Sequence, residues 1–233
     1  MSNQTPDDVA RQNHTHLSHV QAHPVSEAAR TTAMTAGEWD ERYAGSGQIW
    51  SGKPNGSLVD EAESMHTGRV LDVGCGEGAD AVWLASKGWQ VTALDPSIVA
   101  LQRAKDVALE AGVEVQWLHG GLLDVDLTSG GFDLVSMQYP ALPRTPDHLS
   151  ELALLDAVAP GGLLLVVFHA NVSDEQALAH GFNMADYVGL DQILEVLDID
   201  WKILVNEERA RDIQGGAGEH HTHDVVLKAI RVA

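Results

Sequence analysis

Cysteine is almost absent from this chain: Cys75 is the single one among 233 residues. No internal disulfide can form, and a reduced, cytoplasmic setting is the expectation. Basic residues are scarce as well. Fourteen Lys and Arg stand against 34 Asp and Glu, a formal net charge of −20. Such a surface repels phosphate backbones and anionic headgroups, which argues against nucleic acid and membranes as partners. Long apolar runs are missing too: nothing approaches the roughly 18 residues of a membrane span. No basic start followed by an apolar core is visible at the N-terminus, so no secretory signal is expected. Aromatic residues make up only 5% of the chain, yet Trp39, Tyr43 and Trp50 fall within one short segment. With mean hydropathy of −0.10, a chain of this length can bury one sizeable core.

Residues 1–36 differ from the rest. They are polar and short of large aliphatics, and they read as a flexible tail before a domain of residues 37–233. A short helix capped by Thr5, with Pro6 in its first turn, is the one local signal. His14, His16, His19 and His23 lie in this tail. Clustered histidines suit a transition metal, but no cysteine or carboxylate pattern completes a site, so no metal ligand is assigned.

The densest signal is Val70-Leu71-Asp72-Val73-Gly74-Cys75-Gly76-Glu77-Gly78. An apolar run enters three glycines at alternate positions, and Ala81, Val82, Leu84 and Ala85 follow at helical spacing. Glycine permits a tight turn and close approach of a ligand to the backbone. Strand, glycine turn and helix together are how open α/β sheets hold nucleotide-like cofactors. Dinucleotide-binding proteins read G-x-G-x-x-G. Here the register is G-x-G-x-G, with Asp72 two residues before Gly74. A second apolar run, Val91–Leu94, ends in Asp95-Pro96-Ser97. Asp95 stands about 20 residues after the turn, where an acid accepts from ribose hydroxyls. Ser97 is the better helix cap by position, which leaves Asp95 for the ribose. Cys75, inside the turn, reads as a small packed side chain rather than a nucleophile.

In these motifs the chain resembles the class I S-adenosylmethionine-dependent methyltransferases. The resemblance implies S-adenosylmethionine as cofactor, held by Asp72, Gly74, Cys75, Gly76, Gly78, Asp95 and Pro96. Trp39-x-x-x-Tyr43 followed by Trp50-x-Gly52-x-Pro54-Asn55 is similar to the N-terminal region of the thiopurine and tellurite-resistance branch. There this region closes over the methionine end of the cofactor, which adds Trp39, Tyr43 and Trp50 to the candidates. The alternative is that these aromatics plaster a helix onto the sheet.

Strand candidates are 70–73, 91–94, 113–118, 132–137, 163–168, 203–205 and 225–230. Helical stretches at 79–87, 98–111, 146–159 and 185–197 lie between most of them. Short apolar runs alternating with helices indicate a parallel sheet covered on both faces. The last two runs have no helix between them and should form an antiparallel hairpin. The expected fold is α/β: a Rossmann-like, seven-stranded, mostly parallel sheet with helices on both faces and that C-terminal hairpin. Pro160-Gly161-Gly162, before the fifth strand, matches the family's usual turn.

Ligands sit at the carboxyl ends of such strands, where strand order reverses. After the third strand, His119-Gly120-Gly121-Leu122-Leu123-Asp124 lacks the acid that family members place near Gly121 for the adenine. Backbone groups of Gly121 and Leu122 remain as adenine partners, with the acid displaced to Asp124. After the fourth strand, Gln138 and Tyr139 should face cofactor and acceptor. Tyr139-Pro140 does not match the D/N-P-P-F/Y/W run of nucleic-acid adenine methyltransferases, in agreement with the charge. After the fifth strand, His169 is placed either to act as a base or as a hydrogen-bonded structural residue. Tyr139 and His169 are the catalytic candidates. The hairpin loop carries Arg209, Arg211, His220, His221, His223 and Asp224; His221 and His223 would share one face if the strand extends that far. The reading is methyl transfer to a small soft nucleophile: a thiol, a thiopurine-like heterocycle or a metalloid oxyanion. Two alternatives stand beside it. One is an NAD-dependent oxidoreductase, which the glycine spacing opposes. The other is a non-catalytic S-adenosylmethionine-binding or metal-responsive interaction protein.

Overall fold

Seven strands form one sheet in the order β3-β2-β1-β4-β5-β7-β6. The computed structural model describes residues 33–45, 47–211 and 215–232. The expected tail helix at Thr5 and the four tail histidines therefore lie outside the described residues. Strands β1 (Arg69–Val73), β2 (Gln90–Asp95), β3 (Gln116–His119), β4 (Phe132–Gln138) and β5 (Val158–His169) are parallel. Strands β6 (Trp201–Ala210) and β7 (His223–Arg231) close the edge as an antiparallel hairpin. The Rossmann-like sheet read from the sequence is present.

Helices α1 (Ala36–Ala44) and α2 (Gly56–Ala62) precede β1; α3 (Ala79–Ser86) and α4 (Ile98–Ala111) follow β1 and β2. Helices α5 (Leu149–Asp156), α6 (Asp174–Ala179) and α7 (Leu190–Val196) belong to the second half. Apolar strand residues alternate between two cores. Leu71, Val73, Val135, Met137, Leu164 and Val166 face one side with Leu154 and Ile193. Val70, Leu134, Leu165, Val167 and Val226 face the other with Leu58, Ala81 and Leu84. Strands buried on both faces read as continuous apolar runs, which is why they were legible.

Several boundaries differ from expectation. The third strand begins at Gln116, not Val113, because the N–H groups of Gly112 and Val113 donate to Leu109 O and Ala108 O and finish α4. The helix expected over 146–159 is a single 3-10 turn, Pro146–His148, then α5; Asp147 and His148 take left-handed φ of 57° and 56° and break it. The helix expected over 185–197 is a 3-10 turn at Met184–Asp186, then α7 beginning after Gly189. Pro160-Gly161-Gly162 is an irregular stretch inside β5, where pairing with β4 shifts register, rather than a turn before it. Helix α1 starts at Ala36, capped by Thr35 and Glu38, one residue before the expected domain boundary.

Candidate active site

Between β1 and α3 the chain turns through Gly74–Gly78. The N–H groups of Gly74 and Cys75 both donate to Leu94 O, at 2.9 and 3.0 Å, pinning the turn to the end of β2. Gly76 has φ +53°, and a Cβ there would stand 3.1 Å from the Tyr43 hydroxyl and 3.2 Å from Trp50 Nε1. A side chain would be strained and crowded at this point.

Three buried carboxylates surround the turn. Asp95 accepts from Gly76 N through Oδ2 and from Ser97 N through Oδ1, each at 2.8 Å. The sequence left Asp95 free for a ribose; instead it also braces the turn, although each oxygen can accept again. Ser97 caps α4 as expected, accepting from Ala100 N. Burial raises Asp95 to about 6, against the pull of those two backbone donors. Asp80, which accepts from Asn55 N and Nδ2 at 2.7 Å each, is likewise raised to about 6 by burial. Burial first, then Asp80 and Asp95, push Asp72 well above the usual carboxylate range. Asp72 Oδ2 is buried with no hydrogen-bond partner. Three desolvated acids with one oxygen unsatisfied suit a cationic ligand with hydroxyl donors. Cys75 packs partly buried against the core beneath the turn, and burial, then Asp72, hold its thiol above its ordinary range.

The segment before β1 lies over the turn. Glu77 accepts from Ile49 N and Trp50 N and pairs with Arg103 Nη1 at 2.8 Å. Trp50 Nε1 donates to Tyr43 OH at 2.9 Å. The structure thus brings Tyr43 and Trp50 to Gly76. Trp39 stands one layer back, packed on Tyr43 and Phe182 at centroid distances of 6.2 and 5.9 Å. Glu77 and Asn55, which fasten this segment, were missed as site residues, although Asn55 lies within the aromatic motif.

At the carboxyl ends of β4 and β5 a second cluster forms. Gln138 is buried; its Nε2 donates to Ser136 Oγ at 3.0 Å and its Oε1 has no partner. Tyr139, with a left-handed φ of 49°, donates its hydroxyl to Asp224 Oδ2 at 2.7 Å and accepts from Arg211 Nε at 3.0 Å. A left-handed tyrosine is costly and persists only where its surroundings hold it. Burial and Asp224 raise the Tyr139 phenol above its ordinary range, so it stays neutral. His169 lies between the rings of Tyr139 and His221, at 4.1 and 3.9 Å. Burial lowers the imidazole of His169, and burial with the neighbouring His169 lowers His221 to about 4. Strand β7 begins at His223, so His221 lies in the hairpin turn and does not share a strand face with His223. Gly216 and Ala217 of the same turn rest on the lid: Ala217 N donates to Ile49 O at 3.0 Å.

The adenine-side candidates are placed differently. Gly121 N–H donates to Asp124 Oδ2 at 3.1 Å, and the Leu122 side chain is buried in the core. Pro96 O lies 3.0 Å from His119 Nε2, tying the ends of β2 and β3. A groove beside β2 and β3, lined by Trp89, Lys105 and Trp117, reaches the amino ends of the strands and includes no residue of the turn. Position at the carboxyl ends, not groove size, marks the site.

Residues 70–162 match the family model described as a methyltransferase domain. Over 125 residues the chain is 36% identical to an uncharacterized methyltransferase of Mycobacterium tuberculosis, covering 53% of this chain and 62% of that protein. Two solved structures are similar in fold. One concerns conversion of a disulfide bond into a thioacetal group during echinomycin biosynthesis; its TM-score is 0.67 at 23% identity, over 84% of this chain and 92% of the other. The other is the N-methyltransferase NodS of Bradyrhizobium japonicum in complex with S-adenosyl-L-homocysteine; its TM-score is 0.58 at 18% identity, over 84% and 88%.

Proposed function

We propose that the protein is an S-adenosylmethionine-dependent methyltransferase acting on a small-molecule acceptor, a reading supported by the match of residues 70–162 to a methyltransferase-domain model. The observation that carries the reading is the buried carboxylate set at the glycine turn, with Asp72 Oδ2 unsatisfied. It fits a cofactor with a positive sulfonium, an ammonium and two ribose hydroxyls. Asp95 would take the ribose, Asp72 the cationic end, and the backbone at Gly74–Gly78 the close approach. Gly121 and Leu122 would flank the adenine, with Asp124 as the nearby acid. When bound, S-adenosylmethionine supplies an activated methyl group. Trp50 and Tyr43 shield that region from water, and the strand ends at Gln138 and Tyr139 hold an acceptor in line, which accounts for much of the rate in such displacements.

For the acceptor, a small soft nucleophile is the reading: a thiol, a thiopurine-like heterocycle or a metalloid oxyanion. The aromatic lid over Gly76 and the net charge of −20 support it. Polyanions, nucleic acid among them, fit that charge poorly. Among the described residues no helix is long and apolar enough to cross a membrane; a reduced cytoplasmic setting fits the single cysteine. Calorimetry with S-adenosylmethionine and with NAD, followed by S-adenosylhomocysteine release from pooled small acceptors, tests the proposal. Binding of NAD but not S-adenosylmethionine would sink it. Tight cofactor binding with no release from any acceptor would favour the non-catalytic alternative.

A further inference from the structure

We propose that His169, seated on Asp224, removes the proton of the methyl acceptor. This rests on the methyltransferase reading of the site. It makes His169 the catalytic base and Asp224 its positioning residue.

The sheet register fixes the pair. His169 and Asp224 are opposed across β5 and β7, on the same face as the opposed pair Val167 and Val226. Their facing atoms, His169 Nδ1 and Asp224 Oδ1, are both buried without a hydrogen-bond partner and stand 3.5 Å apart. Such contacts are often long without substrate and tighten when it binds. Asp224 has no freedom to look elsewhere: its Oδ2 accepts from Tyr139 OH and from Ser57 Oγ at 3.4 Å. The imidazole cannot rotate away either, because the rings of Tyr139 and His221 clamp its two faces. A proton on Nδ1 directed at Asp224 leaves the Nε2 lone pair open as base.

Nε2 faces Gly218 of the hairpin turn. A Cβ at Gly218 would stand 3.6 Å from Nε2 and 3.6 Å from both Nη atoms of Arg211. Gly218 thus packs against the corner where the imidazole and the guanidinium meet, and lacking a side chain it adds no bulk there. An acceptor losing its proton there becomes an anion beside the Arg211 guanidinium, whose Nε also stands 3.6 Å from Asp224 Oδ1. The same hairpin turn rests on Ile49–Ser51, and the Trp50 ring lies beside Gly76, so this corner and the glycine turn share a wall. For a thiol, the S–H proton passes to Nε2. A sulfur lone pair forms the new bond to the methyl carbon. The electron pair of the broken bond stays on the donor sulfur, which becomes a neutral thioether. The proton then leaves His169 for solvent.

The charged and titratable groups facing His169 are Asp224 and Arg211, with His220 and His221 beside it. Burial above all opposes the imidazolium, with Arg211 and His220, against the pull of Asp224, so the free base prevails at neutral pH.

The test uses the full chain with S-adenosylmethionine and two thiols: an aromatic thiol already ionised at pH 7.5, and an aliphatic thiol with a pKa of about 8.5. His169→Gln should lower kcat/KM for the aliphatic thiol about 100-fold or more and barely change it for the ionised one. Equal loss on both thiols overturns the proposal. Imidazole nitrogen NMR at pH 7 gives a readout independent of turnover. His169 should carry its proton on Nδ1, and Asp224→Asn should weaken that preference. An Nε2-protonated His169, or one indifferent to Asp224→Asn, overturns it. If wild-type protein methylates neither thiol, the thiol reading falls, and the NMR result still decides the pair.

Discussion

Asp95 braces the turn with the same carboxylate that the proposed function gives to the ribose, and this makes it the most informative single residue. Replacing it with alanine removes two backbone hydrogen bonds as well as the ribose partner. Hydrogen bonds to a charged group contribute about 1.5–3 kcal/mol each. Asp95→Ala should therefore weaken S-adenosylmethionine binding by about 10- to 150-fold and lower the melting temperature. Calorimetry on both proteins checks this, and unchanged affinity would remove Asp95 from the site. The same burial sets a pH dependence. Asp80 and Asp95 titrate near 6 in the fold, against about 3.9 unfolded. Between those values the folded chain binds more protons, so its stability falls as pH rises from about 4 to 6 and levels off above. Cofactor affinity runs the other way, because a cationic ligand with hydroxyl donors prefers ionised carboxylates. Binding should tighten about tenfold or more between pH 5 and 7.5, with proton release. A flat affinity profile would show that these carboxylates do not meet the ligand.

The elements were legible where local chemistry and burial agreed. Val70–Val73 into the glycine turn, and the cap at Ser97, follow from apolar runs and a hydroxyl at the right place. Legibility failed where non-local contacts decided. The pairing of His169 with Asp224 depends on cross-strand register, which no single segment encodes. Asp147 and His148 adopt left-handed dihedrals, which Asp and His tolerate better than most residues but which no local pattern requires, so the break before α5 was not legible. Helix α6 was missed despite a signal, since Ser173 and Gln176 form a capping box. At this scale the docking of the hairpin turn on the lid is the feature to perturb. A Cβ on Gly216, whose φ is +82°, would meet Ser51 N at 2.5 Å and the Trp50 carbonyl carbon at 2.9 Å. Those are backbone atoms, so the turn must lift. Gly216→Val should speed hydrogen exchange at Ala217, whose N–H bonds Ile49 O, and raise the KM for cofactor. Amides of β1 and β4 should be unaffected. Unchanged exchange at Ala217 would mean that hairpin and lid do not form one closure.

At the scale of the whole molecule, the described residues build one seven-stranded sheet. Among the described residues every strand lies within 69–231, and the segment that lies over the turn begins at α1. The most N-terminal tie to the body is Met34 N, which donates to Tyr187 OH at 3.0 Å. Residues 1–30 are polar and short of large aliphatics, so they have little apolar surface to bury against the sheet. The four histidines at 14, 16, 19 and 23 carry no assigned role in that architecture. Deleting residues 1–30 should therefore leave the melting temperature within about 2 °C, which for a chain of this size corresponds to under about 1 kcal/mol. S-adenosylmethionine affinity should change less than about twofold, because the glycine turn and its carboxylates are held by bonds within residues 55–97. Differential scanning calorimetry and isothermal titration on both lengths measure this. A large drop in melting temperature would make the segment part of the fold. Zinc or nickel binding by the full chain that disappears on truncation would instead make the histidines a metal site.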